Sequence, residues 1–388
     1  MRNIIFLGLV SFFADVSTEM VYPLVPLCLT AAFGATPALV GVVEGIAESV
    51  ASLLKVFSGY LSDRYQRKKP LAFLGYSTGI LYKLLLVISA SWAGVLAARV
   101  VDRLGKGLRT APRDVMVAES ADGAHVGQAF GVHKAMDMAG AGLGILIAWL
   151  LMAPDSGVSS FRAIFLWSLL PGVLALGMFA FIREKRGPRA PAGRMSPFAH
   201  ARELDGSLKL YLAVVTMFTL GNSSNAFLLL RAQAFGFTAR QAVLMYFVYH
   251  VSASLLAISL GRLSDRVGRK SLLVGGYLLF SLVYALFAWV NEGWMMWAAF
   301  GLYGLFTAMT TGVERAFIAQ IAPGHLKGTM LGLHGTLTGV ALLPAGALAG
   351  LLWTQVGPQA PFALGAALSL AAALILHFLM QRPKGASR

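Results

Sequence analysis

Charge is scarce in this chain: 13% of its 388 residues are Asp, Glu, Lys or Arg, against 57% that are hydrophobic. Soluble domains carry about 25% charged residues, so this composition excludes a water-soluble globule and points to a bilayer as solvent. Cysteine is nearly absent, and the single Cys28 excludes both an intramolecular disulfide and a thiolate metal cage. No H-E-x-x-H or comparable spacing of histidines and carboxylates occurs, so a membrane metalloenzyme fits poorly. The phosphate loop G-x-x-x-x-G-K-[ST] is missing too, which excludes an ATP-driven pump. The opening MRNIIFLGLVSFFADVSTEM lacks a small-residue cleavage site and carries Asp15 and Glu19 within its apolar run; it reads as a first membrane span, not a signal peptide.

What is abundant is apolar sequence in long blocks. A helix crossing a hydrocarbon core about 30 Å thick needs roughly 20 mostly apolar residues. On that ruler the chain gives twelve spans: 3–30, 38–61, 71–89, 91–112, 127–152, 160–182, 209–232, 239–261, 271–290, 292–320, 328–354 and 358–380. The expected fold class is an all-α membrane protein of twelve transmembrane helices. Net charge is +15, and its distribution decides what it means. Arg64, Arg67, Lys68 and Lys69 follow the second span, Lys106, Arg109 and Arg113 end the fourth, and Arg262, Arg266, Arg269 and Lys270 follow the eighth. The intervening loops AAFGATPAL and SASW are nearly uncharged. By the positive-inside rule the basic side, with both termini, faces the cytoplasm, and the basic balance reports topology, not nucleic-acid binding.

The chain repeats itself. GYLSDRYQRKKPL at 59–71 matches GRLSDRVGRKSLL at 261–273 in 8 of 13 positions, an offset of 202. Phe33, Gly34 and Thr36 recur at that offset as Phe235, Gly236 and Thr238, and GQAFGVH at 127–133 returns as GTMLGLH at 328–334, offset by 201. An even number of spans per copy leaves both copies in the same orientation, the arrangement that places a solute site between two six-helix bundles. Residues 1–183 and 209–388 are the expected bundles, and the basic, Pro-containing 184–208 between them is a cytoplasmic linker.

GYLSDRYQRKK and GRLSDRVGRK resemble the loop signature of the major facilitator superfamily, G-x-L-[AS]-D-R-x-G-R-[KR], placed after the second and eighth spans as in that family. The first copy has Gln66 where the family prefers glycine. The resemblance implies two bundles rocking around a midplane cavity lined by spans 1, 4, 7 and 10, without a cofactor, energised by the proton gradient. It implies a cytoplasmic gate at Asp63 and Arg67, joined by Asp114, with a second copy at Asp265 and Arg269. A family R-x-x-Q-G pattern is approximated by Arg103 to Gly107, with Lys106 in place of Gln. The span-5 motif of drug:proton antiporters is half present: Gly131, Gly140 and Gly144 match, while Ile145 stands at the Pro position and Ala148 and Trp149 replace the final glycines. Those glycines read first as close helix contacts.

The residues themselves add a dense set of polar groups within the spans. Arg99, Asp102, Arg103 and Lys106 fall at i, i+3, i+4 and i+7, making one face of span 4 ionic. Asp15 and Glu19 lie four apart, as do Glu44 and Glu48, with Lys55 on the latter face. Lys134 and Asp137 can pair within span 5; Lys83 stands alone in span 3; His133 is echoed by His334. In the second half the candidates are Asn222 to Asn225 and Arg231 in span 7, Tyr246 and His250 in span 8, and Glu314 and Arg315 in span 10. Ionisable groups inside spans mark function because their burial is unfavourable unless they are paired or hydrated. The expectation is an inner-membrane, monomeric, proton-coupled secondary transporter of a small polar or zwitterionic organic solute, with Asp15 or Glu19 as proton carrier. A multidrug:proton antiporter and a non-transporting receptor or scaffold of the same fold are the alternatives.

Overall fold

A computed structural model of the chain describes residues 2–65, 68–120, 126–152, 158–184, 206–321 and 327–379, all of it helix, turn or loop. The first half holds α1 (Arg2–Glu19), α2 (Leu24–Phe33), α3 (Pro37–Tyr65), α4 (Lys68–Ile88), α5 (Trp92–Ser120), α6 (Val126–Leu151), α7 (Val158–Trp167) and α8 (Leu169–Met178). The second holds α9 (Gly206–Gly221), α10 (Ala226–Ala234), α11 (Ala239–Val267), α12 (Arg269–Ala288), α13 (Gly293–Ile321), α14 (Lys327–Gln355) and α15 (Ala360–Phe378). With α1–α2, α7–α8 and α9–α10 each counted as one crossing, these make twelve crossings in two bundles. Among the described residues nine segments are long and apolar enough to span a membrane by composition alone. α5 is not one of them, because Arg99, Asp102, Arg103, Lys106 and Arg109 all lie on it.

Three spans expected to be continuous are broken. Span 1 unwinds between Glu19 and Leu24, where Pro23 and Pro26 remove two backbone donors. Span 7 breaks over Asn222–Asn225, whose short polar side chains compete with the helix for its own backbone groups; Ser224 Oγ accepts from the Ala226 amide at 3.2 Å. Span 6 parts at Ser168, whose carbonyl accepts from Ser17 Oγ at 2.5 Å.

The internal repeat extends through all six crossings. Moved by 202 residues, the end of α1 falls on the end of α9 (Gly221), the start of α2 on that of α10 (Ala226), and α3 onto α11 end to end. Moved by 201, α5 superposes on α13 in the same way. Gly34 and Gly236 terminate α2 and α10 with φ of 60° and 111°, left-handed conformations that favour glycine.

The bundles meet along two seams, α3 on α14 and α6 on α11, with α10 also against α2 and α3. Asn3, Ser120 and Arg183 are hydrogen-bonded together, which marks the terminal end of the molecule. At the opposite, far end the α3–α14 seam is backbone on backbone: a Cβ added to Gly346 would run into the Gly41 carbonyl oxygen, and one added to Gly350 would run into Ala38 Cα. Small residues permit this approach. The seam continues to mid-helix, where Ser49 Oγ donates to the Gly339 carbonyl at 2.9 Å. On the other seam the Arg240 guanidinium lies over the Trp149 ring at 4.5 Å. The far end is therefore closed, with α2 and α10 buried beneath it.

Candidate functional site

The ionic face of α5 packs against α3 and forms a ladder of buried charges. Arg99 Nη2 meets Glu44 Oε2 at 2.5 Å with both side chains almost fully buried, and Arg103 Nη2 meets Glu48 Oε1 at 2.7 Å. Asp102 sits between the two arginines, 3.5 Å from Arg103 and 3.9 Å from Arg99. The Tyr22 ring, at the break in span 1, faces both guanidinium groups at 5.2 and 5.9 Å. The sequence suggests Lys55 as the partner of Glu48; in the structure Arg103, reaching across from the facing helix, takes that carboxylate, and the Lys55 side chain lies outside the described residues. Arg99 likewise takes Glu44, not Asp102, as its close partner, because the i+3 carboxylate on its own helix reaches only to 3.9 Å. Lys83 is buried and donates to the Gly79 carbonyl at 3.1 Å.

Below the ladder, towards the terminal end, α1 meets α6. Gly140 and Gly144 face the backbone of Phe12 and Val16, so these glycines serve the close packing expected of them. That packing makes Asp15 and Asp137 electrostatic neighbours across the α1–α6 contact. Lys134, 65% exposed, holds the other side of Asp137 at 3.1 Å. Glu19, one turn above Asp15, lies among Lys106, Arg103, Arg99 and Asp102. Its Oε2 is buried without a hydrogen-bond partner.

The second bundle offers a different surface at the same level. Tyr246, Tyr249 and His250 cluster on α11, with ring centroids 4.5 to 5.4 Å apart. Tyr249 continues to Tyr303 at 5.0 Å, and Tyr303 Oη donates to Asn225 Oδ1 at 2.9 Å and reaches Asn222 Oδ1 at 3.5 Å. The span-7 break thus places its amides in a tyrosine network. Two contacts join the bundles here: Tyr22 to Tyr246, centroids 6.1 Å apart, and Ser224 Oγ to Glu44 Oε2 at 3.5 Å. They are copies of one contact, since 22 and 44 become 224 and 246 at the repeat offset. Arg231 is structural, donating to the Phe287 and Ala288 carbonyls. Glu314 accepts from Tyr277 Oη at 3.0 Å and lies 4.0 Å from His334 Nε2.

The family pattern of the Major Facilitator Superfamily matches this chain over residues 7–211 and again over 210–388. The chain belongs to that superfamily. An uncharacterized MFS-type transporter of Methanocaldococcus jannaschii is 34% identical over 97% of this chain and 95% of its own length. A probable 4-methylmuconolactone transporter of Cupriavidus pinatubonensis is 26% identical over 81% of this chain and 77% of its own. Among solved structures, the nucleoside transporter NupG superposes with a TM-score of 0.80 at 13% identity, covering 98% of this chain and 100% of that one, a likeness of fold. Membership makes the chain a multi-pass membrane protein.

In this superfamily member the signature loops are only partly in view. Arg67 and Gln66 lie outside the described residues, as do the side chains of Asp63, Asp265 and Arg315 and most of the linker expected at 184–208. Asp114 is held by its neighbour Arg113 at 2.8 and 2.9 Å. Gly268 ends α11 with φ 90°, the turn that the second signature copy requires, and Arg269 begins α12. The sequence reading missed Tyr22, Tyr249 and Tyr303. The repeat offset is the signal that finds them, because it sets Tyr246 and His250 opposite Glu44 and Glu48.

Proposed function

We propose that this superfamily member is a secondary active transporter that moves a small polar or charged organic solute across the inner membrane by alternating access, coupled to protons. Both termini and the basic loops face the cytoplasm in this reading, so the closed far end is periplasmic and the conformation faces inward. The observation that carries the coupling is the approach of Asp15 to Asp137. Two neighbouring buried carboxylates repel, and a proton on one of them relieves the repulsion. Asp137 Oδ1 is buried and has no hydrogen-bond partner among the described residues, so it is open to a proton. Around the pair stand Arg109, Glu19 and Lys83 on the Asp15 side, and Lys134, Arg113 and His133 on the Asp137 side. Exposed Lys134 offers the route by which a proton reaches Asp137 from the terminal end.

The ladder is then the fixed part of the machine and the carboxyl pair the part that changes state. Arg99, Arg103, Glu44, Glu48 and Asp102 hold one another, so none is left to carry a proton through the cycle. The Cupriavidus relative, named for an organic substrate, accords with the solute class. Purified protein in proteoliposomes, screened against metabolites under an imposed pH gradient, tests the reading. Saturable, gradient-driven accumulation is expected, with Asp15→Asn abolishing accumulation while keeping counterflow exchange. Accumulation by Asp15→Asn that still follows the gradient would place the proton elsewhere, and a protein that moves no solute at all would overturn transport.

A further inference from the structure

We infer that the solute is an aromatic zwitterion, a flat conjugated ring bearing both an amine and an acid. The inference rests on the transport reading above and deepens it. Among the buried polar atoms that lack hydrogen-bond partners are Glu19 Oε2, Arg103 Nε and His250 Nε2 at the junction of the bundles, with Arg99 Nε, Arg99 Nη1 and Asp102 Oδ2 deeper in the ladder. Glu19 lies within electrostatic reach of Arg103 on one side and of Tyr246 and Tyr249 on the other, so it stands where the ionic wall meets the ring wall. It makes no ion pair among the described residues, unlike Glu44 and Glu48, which the arginines hold.

An amine satisfies Glu19, supplying the hydrogen bonds that this buried acceptor lacks. An acid satisfies Arg103 Nε, whose Nη atoms are already committed to Glu48 and Asp102. The two demands are of opposite sign and adjacent, so a single solute carrying both groups answers both, and a solute carrying one leaves a buried polar atom unpaired. The ring follows from the opposite wall. Tyr22 and Tyr246 face each other across the bundle boundary with centroids 6.1 Å apart, and His250 lies edge-on to Tyr246 at 4.7 Å and tilted against Tyr249 at 4.5 Å. Rings in such tilted and edge-on arrangements favour another flat ring over an aliphatic chain of equal size. Separation of the bundles during the cycle opens the space between Tyr22 and Tyr246, where the two walls touch.

Matched solutes test each part separately. Thermal stabilisation and counterflow of purified, reconstituted protein are measured with phenylalanine, tyrosine and tryptophan, and with three analogues that each lack one feature: 2-phenylethylamine, 3-phenylpropionate and leucine. At least one ring zwitterion is expected to bind about tenfold or more tightly than either single-charge analogue, and about three- to tenfold more tightly than leucine. Tyr246→Leu should erase the preference over leucine, and Tyr246→Phe should keep it. Leucine or a single-charge analogue binding as tightly as every ring zwitterion would overturn the inference, as would a ring preference that survives Tyr246→Leu. Saturable transport of some other solute with no response to ring zwitterions would overturn it too, while leaving the transport reading standing. Absence of saturable flux for every solute would instead fail the transport reading itself.

Discussion

At position 44 the first bundle carries a glutamate, and at the equivalent position 246 the second carries a tyrosine. Charge is lost along the whole set: Glu48 becomes His250, Arg99 becomes Phe300 and Asp102 becomes Tyr303, while Lys83, Arg103 and Lys106 become the small Ala285, Gly304 and Thr307. The backbones at these positions are copies, α3 of α11 and α5 of α13. One skeleton therefore supports two chemistries, and the difference follows from how buried groups stabilise one another. Charges in a low-dielectric interior must be exchanged as sets, because removing one leaves its partner uncompensated. Rings can be exchanged singly, since each contributes through contact area and quadrupole geometry with its neighbours. The first bundle is thus committed to a fixed electrostatic pattern, and the second is the adaptable wall.

Breaking one charge should show the asymmetry most strongly. Arg99→Met leaves Glu44 buried without its cation and should destabilise the folded protein by about 3–5 kcal/mol. Phe300→Met at the equivalent site should be milder, about 1.5 kcal/mol or less, being close to volume-conserving. Thermal unfolding in detergent compares the two, and adding Glu44→Gln to Arg99→Met should recover part of the loss. Equal effects at both positions would remove the distinction between a paired and an aromatic wall.

The seams sharpen the same comparison, one glycine-lined and one closed by a cation on a ring. Gly346→Leu drives a side chain into the Gly41 carbonyl and should disfavour the closed far end by about 1–3 kcal/mol. Trp149→Leu removes the Arg240 contact, worth about 0.5–2 kcal/mol, and keeps an apolar side chain against the core. In a Cys28→Ser background, labelling of a cysteine at position 227 from the far side should rise more for the glycine variant. The smallest effect belongs to Ser224→Ala, which loses the 3.5 Å contact to Glu44 and the acceptor of the Ala226 amide and should shift the unfolding midpoint by the equivalent of about 1 kcal/mol.

Hydropathy and the repeated loop make the architecture legible from the residues alone, because a span long enough to cross a bilayer and an echoed loop motif both survive without knowledge of contacts. The breaks at Met20–Pro23 and Asn222–Asn225 are less visible. The first run is mostly apolar and only its proline marks the break, while the second is wholly polar but lies between apolar segments at helical spacing that together read as one span. The ionic face of α5 can be read from its i, i+3, i+4, i+7 spacing, but its partners cannot. Spacing along one helix pairs Arg99 with Asp102, whereas Glu44 comes from a helix 55 residues away. Tyr249 and Tyr303 give no signal of their own, since aromatic residues in apolar helices resemble ordinary core until the repeat aligns them with the first bundle.

Infrared difference spectroscopy of the purified protein across a pH titration most directly tests whether the changeable proton belongs to the first bundle. A protonated-carboxyl band that responds to pH should be present in the wild type, be lost in both Asp15→Asn and Asp137→Asn, and persist in Glu44→Gln and Glu314→Gln. A band that survives both aspartate substitutions and disappears in Glu314→Gln would contradict the account, placing the proton in the second bundle.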